Sequence, residues 1–186
     1  MTRGCVTIKK GDSWKGVYNH SNSCPTVLGE EIWDYLQGFK FWYFYNIYWL
    51  FERNRKLEFT TEILETFANN LLEFDDWQNF LNGKYHKKNN LTSKNADPLL
   101  IKWVYIIDPD TKTMKILINR GGIIAVNEDY FWEKGGIQEK KMYNSEIFID
   151  QNYNWYLVEE IDLNGKEPNW QHIKDKGEEI KKDYGG

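Results

Sequence analysis

The run LLIKWVYIIDPDTKTMKILIN, from Leu99 to Asn119, constrains the fold more than any other part of this chain. Two stretches rich in β-branched and aromatic residues flank Asp-Pro-Asp-Thr-Lys, and Pro109 and Asp110 supply the turn that pairs them as a hairpin. Residues 2–9, residues 14–19 and NWYLVEEIDL also read as strands, with SEIFID and IIAV as shorter ones. Between these lie helical patterns. One starts near Glu30, where Glu30 and Glu31 suit the positive end of a helix and Ile32, Tyr35 and Leu36 share a face. TTEILETFANNLLEF places Ile63, Phe67, Leu71 and Phe74 on one stripe behind a Thr60 or Thr61 cap. DDWQNFLNGKY makes a shorter helix, capped by Asp75 or Asp76 and ended by Gly83. HKKNNLTSKNAD reads as a polar loop, as does SNSCPTVLG. A hairpin, then helices, then several strands is an α+β order, with helices packed on an antiparallel or mixed sheet. Residues 1–170 are expected to form a single domain. Residues 171–186, mixed in charge, are expected as a solvated helix or tail.

The opening segment carries the most specific geometric expectation. KKGDS is a turn centred on Gly11 and Asp12, and an even loop there opposes Lys9 with Trp14, Thr7 with Gly16, Cys5 with Tyr18 and Arg3 with His20. Opposed side chains lie about 5 Å apart at Cβ. Arg3 and His20 thereby become neighbours that can grip an anion, with a guanidinium fork beside an imidazole. The same residues also fit a structural role, Arg3 stacking on an aromatic ring and His20 capping the following loop.

The totals narrow the function classes. A net charge of −4, with Lys interleaved among acids, excludes a general nucleic-acid binder. Two cysteines at no zinc spacing give neither a disulfide framework nor a metal site, and reduced cytoplasmic thiols are expected. FKFWYFYNIYWLFERNR has an apolar core of about 13 residues, short of the roughly 20 that cross a membrane. It is read as a buried helix or helix-to-strand element, with no membrane partner. Aromatic residues make up 17% of the chain, enough to build a core and also to offer flat faces to ligands.

Thr2, Arg3 and Gly4, then Tyr18, His20, Asn22, Cys24 and Pro25, then Leu28-Gly29, are similar to the opening of a family of small uncharacterised proteins of tailed bacteriophages and bacteria. That family has Thr-Arg-Gly or Thr-Arg-Ser, a Tyr-x-His-x-Asp-x-Tyr-Pro stretch and a Leu-Gly or Val-Gly that starts a helix. The WVYIIDPDTKTMKILINR hairpin also resembles its later strand pair. Asn22 stands where the family usually has Asp, and Cys24 where it usually has Tyr. The resemblance implies a phage or mobile-element source rather than a known chemistry.

Two functions follow as expectations. The first is an interaction module that binds a host protein or a nucleotide-like signal and counters host defence, through Arg3, Tyr18, Asn19, His20 and Asn22, with no cofactor. The second is a small hydrolase at the hairpin ends, with Thr2 or Cys5 as nucleophile and His20 beside it. A Thr exposed by removal of the initiator Met can use its own amine as base, and a strand-first start has the outline of an N-terminal-nucleophile hydrolase sandwich. Asp108 and Asp110 are explained by the hairpin turn without a metal. His20, His86 and His172 are too scattered for zinc. Glu128, Asp129 and Glu133 fit a solvated loop better than a paired-carboxylate site.

Overall fold

The computed structural model describes residues 2–11, 13–48, 57–84, 91–92, 101–119 and 155–183. The strands are β1 (Gly4–Lys10), β2 (Ser13–Asn19), β3 (Leu91–Thr92), β4 (Trp103–Asp108), β5 (Thr113–Asn119) and β6 (Trp155–Asp162). The helices are α1 (Glu30–Tyr48), α2 (Thr61–Leu71), α3 (Trp77–Leu81) and α4 (Trp170–Asp183). All six strands form one mixed sheet in the order β3-β2-β1-β4-β5-β6. Among these strands only β1 and β4 run parallel; the other neighbours are antiparallel. The class is therefore α+β. The described strands make one sheet, so the second sheet of a hydrolase-type sandwich has no counterpart among the described residues. IIAV and SEIFID lie outside them, as does the 128–133 acidic stretch.

The β1–β2 hairpin has the expected register. Lys9 faces Trp14, Thr7 faces Gly16 and Cys5 faces Tyr18, and Gly11 takes a positive φ of 58° in the turn. Alternation then divides the sheet. Val6, Ile8 and Val17, with Trp103, Tyr105, Ile107, Ile116 and Ile118, face the helices, meeting Ile32 and Leu36 of α1, Ile63 and Phe67 of α2, and Trp77 of α3. Each fully buried Ile, Leu or Phe there contributes about 2 kcal/mol. The opposite face gathers Cys5, Trp14, Val104, Ile106 and Leu117 with Ile101.

Local chemistry fixes the helix starts. Thr60 accepts the Ile63 N–H to cap α2, and Asp76 accepts the Gln78 and Asn79 N–H groups to cap α3. Two loop expectations need correction. Pro25–Gly29 is a single π-helical turn that leads directly into α1, and Pro25 suits its first position because a missing N–H costs nothing there. Leu91 and Thr92, expected in a polar loop, pair with β2 as β3. The C-terminal run is a helix whose inner face joins the core: Trp170 and Ile173 are buried. Gly177 lies so close to Trp103 that a Cβ there would come within 2.4 Å of the indole. Its solvated character is confined to the outer face.

Candidate functional site

Arg3 lies one residue before β1 and His20 one residue after β2, so both stand at the open end of the hairpin. Tyr18 joins them. Its ring meets His20 edge-on, 4.5 Å between centroids at 79°, and the Arg3 guanidinium lies close enough for its charge to act on the Tyr18 phenol. Burial pushes the Tyr18 hydroxyl up from its ordinary value, and the Arg3 charge opposes that push without cancelling it. Tyr18 is thus a neutral phenol that both exposed groups approach.

Asp76 completes the cluster. Its side chain is only 10% exposed, against 74% for His20, and its Oδ2 lies 3.4 Å from His20 Nε2. That oxygen makes no hydrogen bond among the described residues, whereas Oδ1 accepts both cap N–H groups. The backbone holds the two elements together: Tyr18 N–H donates to Asp75 C=O at 3.3 Å, beside an isolated bridge from Tyr18 to Asp76. A largely buried carboxylate oxygen therefore lies beside an imidazole that faces solvent. Sequence reading recognised Asp76 only as a cap. Its second role depends on contact with a residue 56 positions earlier, which no local pattern encodes.

The loop that carries His20 is locked from beneath. Asn19 is buried and donates from Nδ2 to Ser21 C=O at 2.6 Å and to Ser23 Oγ at 2.9 Å. Tyr105 donates its hydroxyl to Ser23 C=O, and Ser23 N–H donates to Thr2 C=O. Asn19 is therefore a scaffold residue facing the interior. Asn22 is exposed at φ 54°, a left-handed conformation that Asn tolerates better than most residues, so its visible part is conformational. Gly4 is required by contact: a Cβ would fall 2.6 Å from Ser23 Cβ and 2.9 Å from Trp103 C=O.

The nucleophile candidates separate sharply. Cys5 is fully buried, and burial pushes its thiol far above the ordinary thiol range. A neutral thiol without solvent access packs as a core residue, an environment that disfavours the nucleophilic role expected of Cys5. Cys24 is half-buried, with Sγ 3.4 Å from Thr26 Oγ1. Thr2 is half-buried and tied by its carbonyl to the His20–Cys24 loop.

Asp108 is occupied by structure. Its Oδ1 accepts the Asp110 and Thr111 N–H groups of the turn, and its Oδ2 pairs with Lys9 at 2.9 Å. No group of three metal-ligating side chains occurs among the described residues. An open groove of about 490 Å³ lies over the start of α1, lined by Thr26, Val27, Glu30, Glu31, Asp34, Tyr35 and Leu81. It contains none of the hairpin residues, and its three carboxylates disfavour the anions that Arg3 and His20 would attract. No described helix is long and apolar enough to cross a membrane. No protein-family model matches the chain, and no curated protein or solved structure matches it either.

Proposed function

We propose that this chain is a binding module whose ligand site is the mouth of the β1–β2 hairpin, and that the ligand presents an anionic group. The observation that carries the reading is the Arg3–Tyr18–His20–Asp76 cluster: a guanidinium whose charge reaches the Tyr18 phenol, an imidazole edge-on to the same ring, and a carboxylate oxygen 3.4 Å from that imidazole. Such a pair offers several directed donors to one planar or tetrahedral anion. The resemblance of the opening residues to phage proteins supports the wider setting. In that setting the chain is an accessory protein of a phage or mobile element, acting in the host cytoplasm on a host protein or a nucleotide-like signal and so countering defence. Titration with nucleotides and inorganic phosphate, read by calorimetry, tests the site, and pull-down from host lysate tests the partner. Saturable binding that Arg3→Gln weakens about tenfold, a loss of about 1.4 kcal/mol, is expected. No binding of any anion and no captured partner would remove the proposal.

A second reading, a small hydrolase, uses the α-amine of Thr2 as its base, with His20, 3.4 Å from Asp76, orienting the substrate. Thr2 rather than Cys5 would be its nucleophile, with Met1 removed. Intact-mass measurement discriminates: retained Met1 eliminates this version.

A further inference from the structure

Three carboxylates stand where local structure gives them no reason to be. Pro25–Gly29 passes directly into α1, so the helical run begins before Glu30. Val27 and Leu28 N–H donate to Cys24 C=O, and Glu30 N–H donates to Pro25 C=O. The positive end of the run is therefore near Cys24, and Glu30, Glu31 and Asp34 lie a turn or more beyond it. The macrodipole favours acids within the first turn and not past it. Glu30 and Asp34 are also one turn apart, a like-charge spacing that weakens a helix. Both are exposed, and neither has an ion-pair partner among the described residues.

What the three acids share is the open groove of about 490 Å³. Val27, Glu30, Glu31, Asp34 and Tyr35 form one wall, and Leu81 at the end of α3 lies across from them. The lining is mostly apolar, with the charges added to it. Packing sets the shape of this wall: the Tyr35 ring lies against Phe80 and Trp77 of α3, 4.9 and 5.8 Å between centroids. Glu31 is held too, because the fully buried Trp77 donates its indole N–H to Glu31 Oε2 at 2.9 Å. One carboxylate is thus tethered at the groove while two more stand along it.

The complementary occupant carries positive charge on an apolar stem. Lysine and arginine side chains have that composition, with methylenes to cover Val27 and Leu81 and a cation to reach the acids. The Tyr35 ring adds its own attraction for a cation. Small-molecule sites enclose most of their ligand, whereas this groove is open, which suits a chain laid across it. We infer that the groove docks a basic segment of a partner protein, its lysine or arginine stems over Val27, Tyr35 and Leu81 and its charges on Glu30, Glu31 and Asp34. The groove shares no residue with the hairpin mouth, so either site can fail without the other.

Calorimetric titration of the full chain with a synthetic peptide of alternating lysine and alanine, blocked at both ends, tests the inference. Saturable binding that weakens as salt rises is expected, together with a shift of the Trp77 indole N–H resonance. Glu30→Gln combined with Asp34→Asn should weaken binding about tenfold. The same variant should keep or slightly raise the thermal midpoint, since it relieves a like-charge pair. Glu65→Gln, which removes an exposed acid of α2 outside the groove, should leave binding unchanged. The inference fails if the peptide does not bind, if the double variant binds as tightly as wild type, or if the Trp77 resonance stays still while the peptide binds. Equal affinity for spermidine would make the groove a site for small polyamines and overturn the peptide reading.

Discussion

Asp76 divides its carboxylate between two elements: Oδ1 accepts the N–H groups that begin α3, while Oδ2 stands 3.4 Å from His20 Nε2 at the end of β2. The two duties can be separated by substitution. Asparagine is as good a cap as aspartate, whereas alanine is a poor one. Asp76→Ala is expected to cost about 1–2 kcal/mol of stability in urea unfolding, and Asp76→Asn only a small part of that. Anion binding should fall in both variants, because both remove the charged partner of His20. An Asp76→Asn variant that is stable and binds normally would show that the carboxylate has no share in the site.

Gly4 permits the packing under the site. Because a Cβ there would overlap both Ser23 Cβ and the Trp103 carbonyl, Gly4→Ala must move either the His20–Cys24 loop or the β1–β4 pairing. A cost of about 1–3 kcal/mol is expected, as for other overpacked positions. The chemical shifts of the His20 ring should move with it. Unchanged stability would mean that the loop gives way without cost.

How far the sequence reveals these features follows from their range. The hairpin register was legible because an even turn centred on Gly11 and Asp12 fixes every opposed pair by counting, and alternation then assigns faces. Thr60 and Asp76 were legible as caps because capping is local. The Asp108 turn was legible for the same reason. The meeting of Asp76 with His20 was not, since it depends on where α3 docks against β2. The parallel pairing of β1 with β4 joins strands about a hundred residues apart and leaves no periodic trace. Alternation puts Asn19 on the Val17 face, away from Tyr18; its bond to Ser23 is what the sequence did not reveal.

The two thiols should behave differently. Cys5 is inaccessible and holds its proton, whereas Cys24 is half-buried beside Thr26. Ellman's reagent at mildly alkaline pH is expected to titrate Cys24 in the native protein and Cys5 only after denaturation. Cys5→Ala should also leave any hydrolytic activity intact. A native Cys5 that reacts as fast as Cys24 would contradict its assignment to the core.

Asp108 gives the clearest dependence on pH. Burial alone would push its carboxyl up, but the hydrogen bond from Lys9, the turn N–H groups of Asp110 and Thr111, and the Lys9 charge together hold it below the ordinary carboxylate value. The unfolded chain therefore takes up this proton at a higher pH than the folded one. Stability from the group is complete above the ordinary Asp range, near pH ~4, and is lost as pH falls through the depressed folded value. Asp108→Asn removes that contribution. Lys9 is 39% exposed, so its abandoned charge is partly hydrated. The substitution is expected to cost about 2 kcal/mol at neutral pH. The gap between wild type and variant should narrow as pH falls through the depressed folded value of Asp108 and close once the carboxyl is protonated in both states. Urea midpoints across the acid range measure it directly, and a gap that persists undiminished into strong acid would assign the loss to turn geometry rather than to the charge.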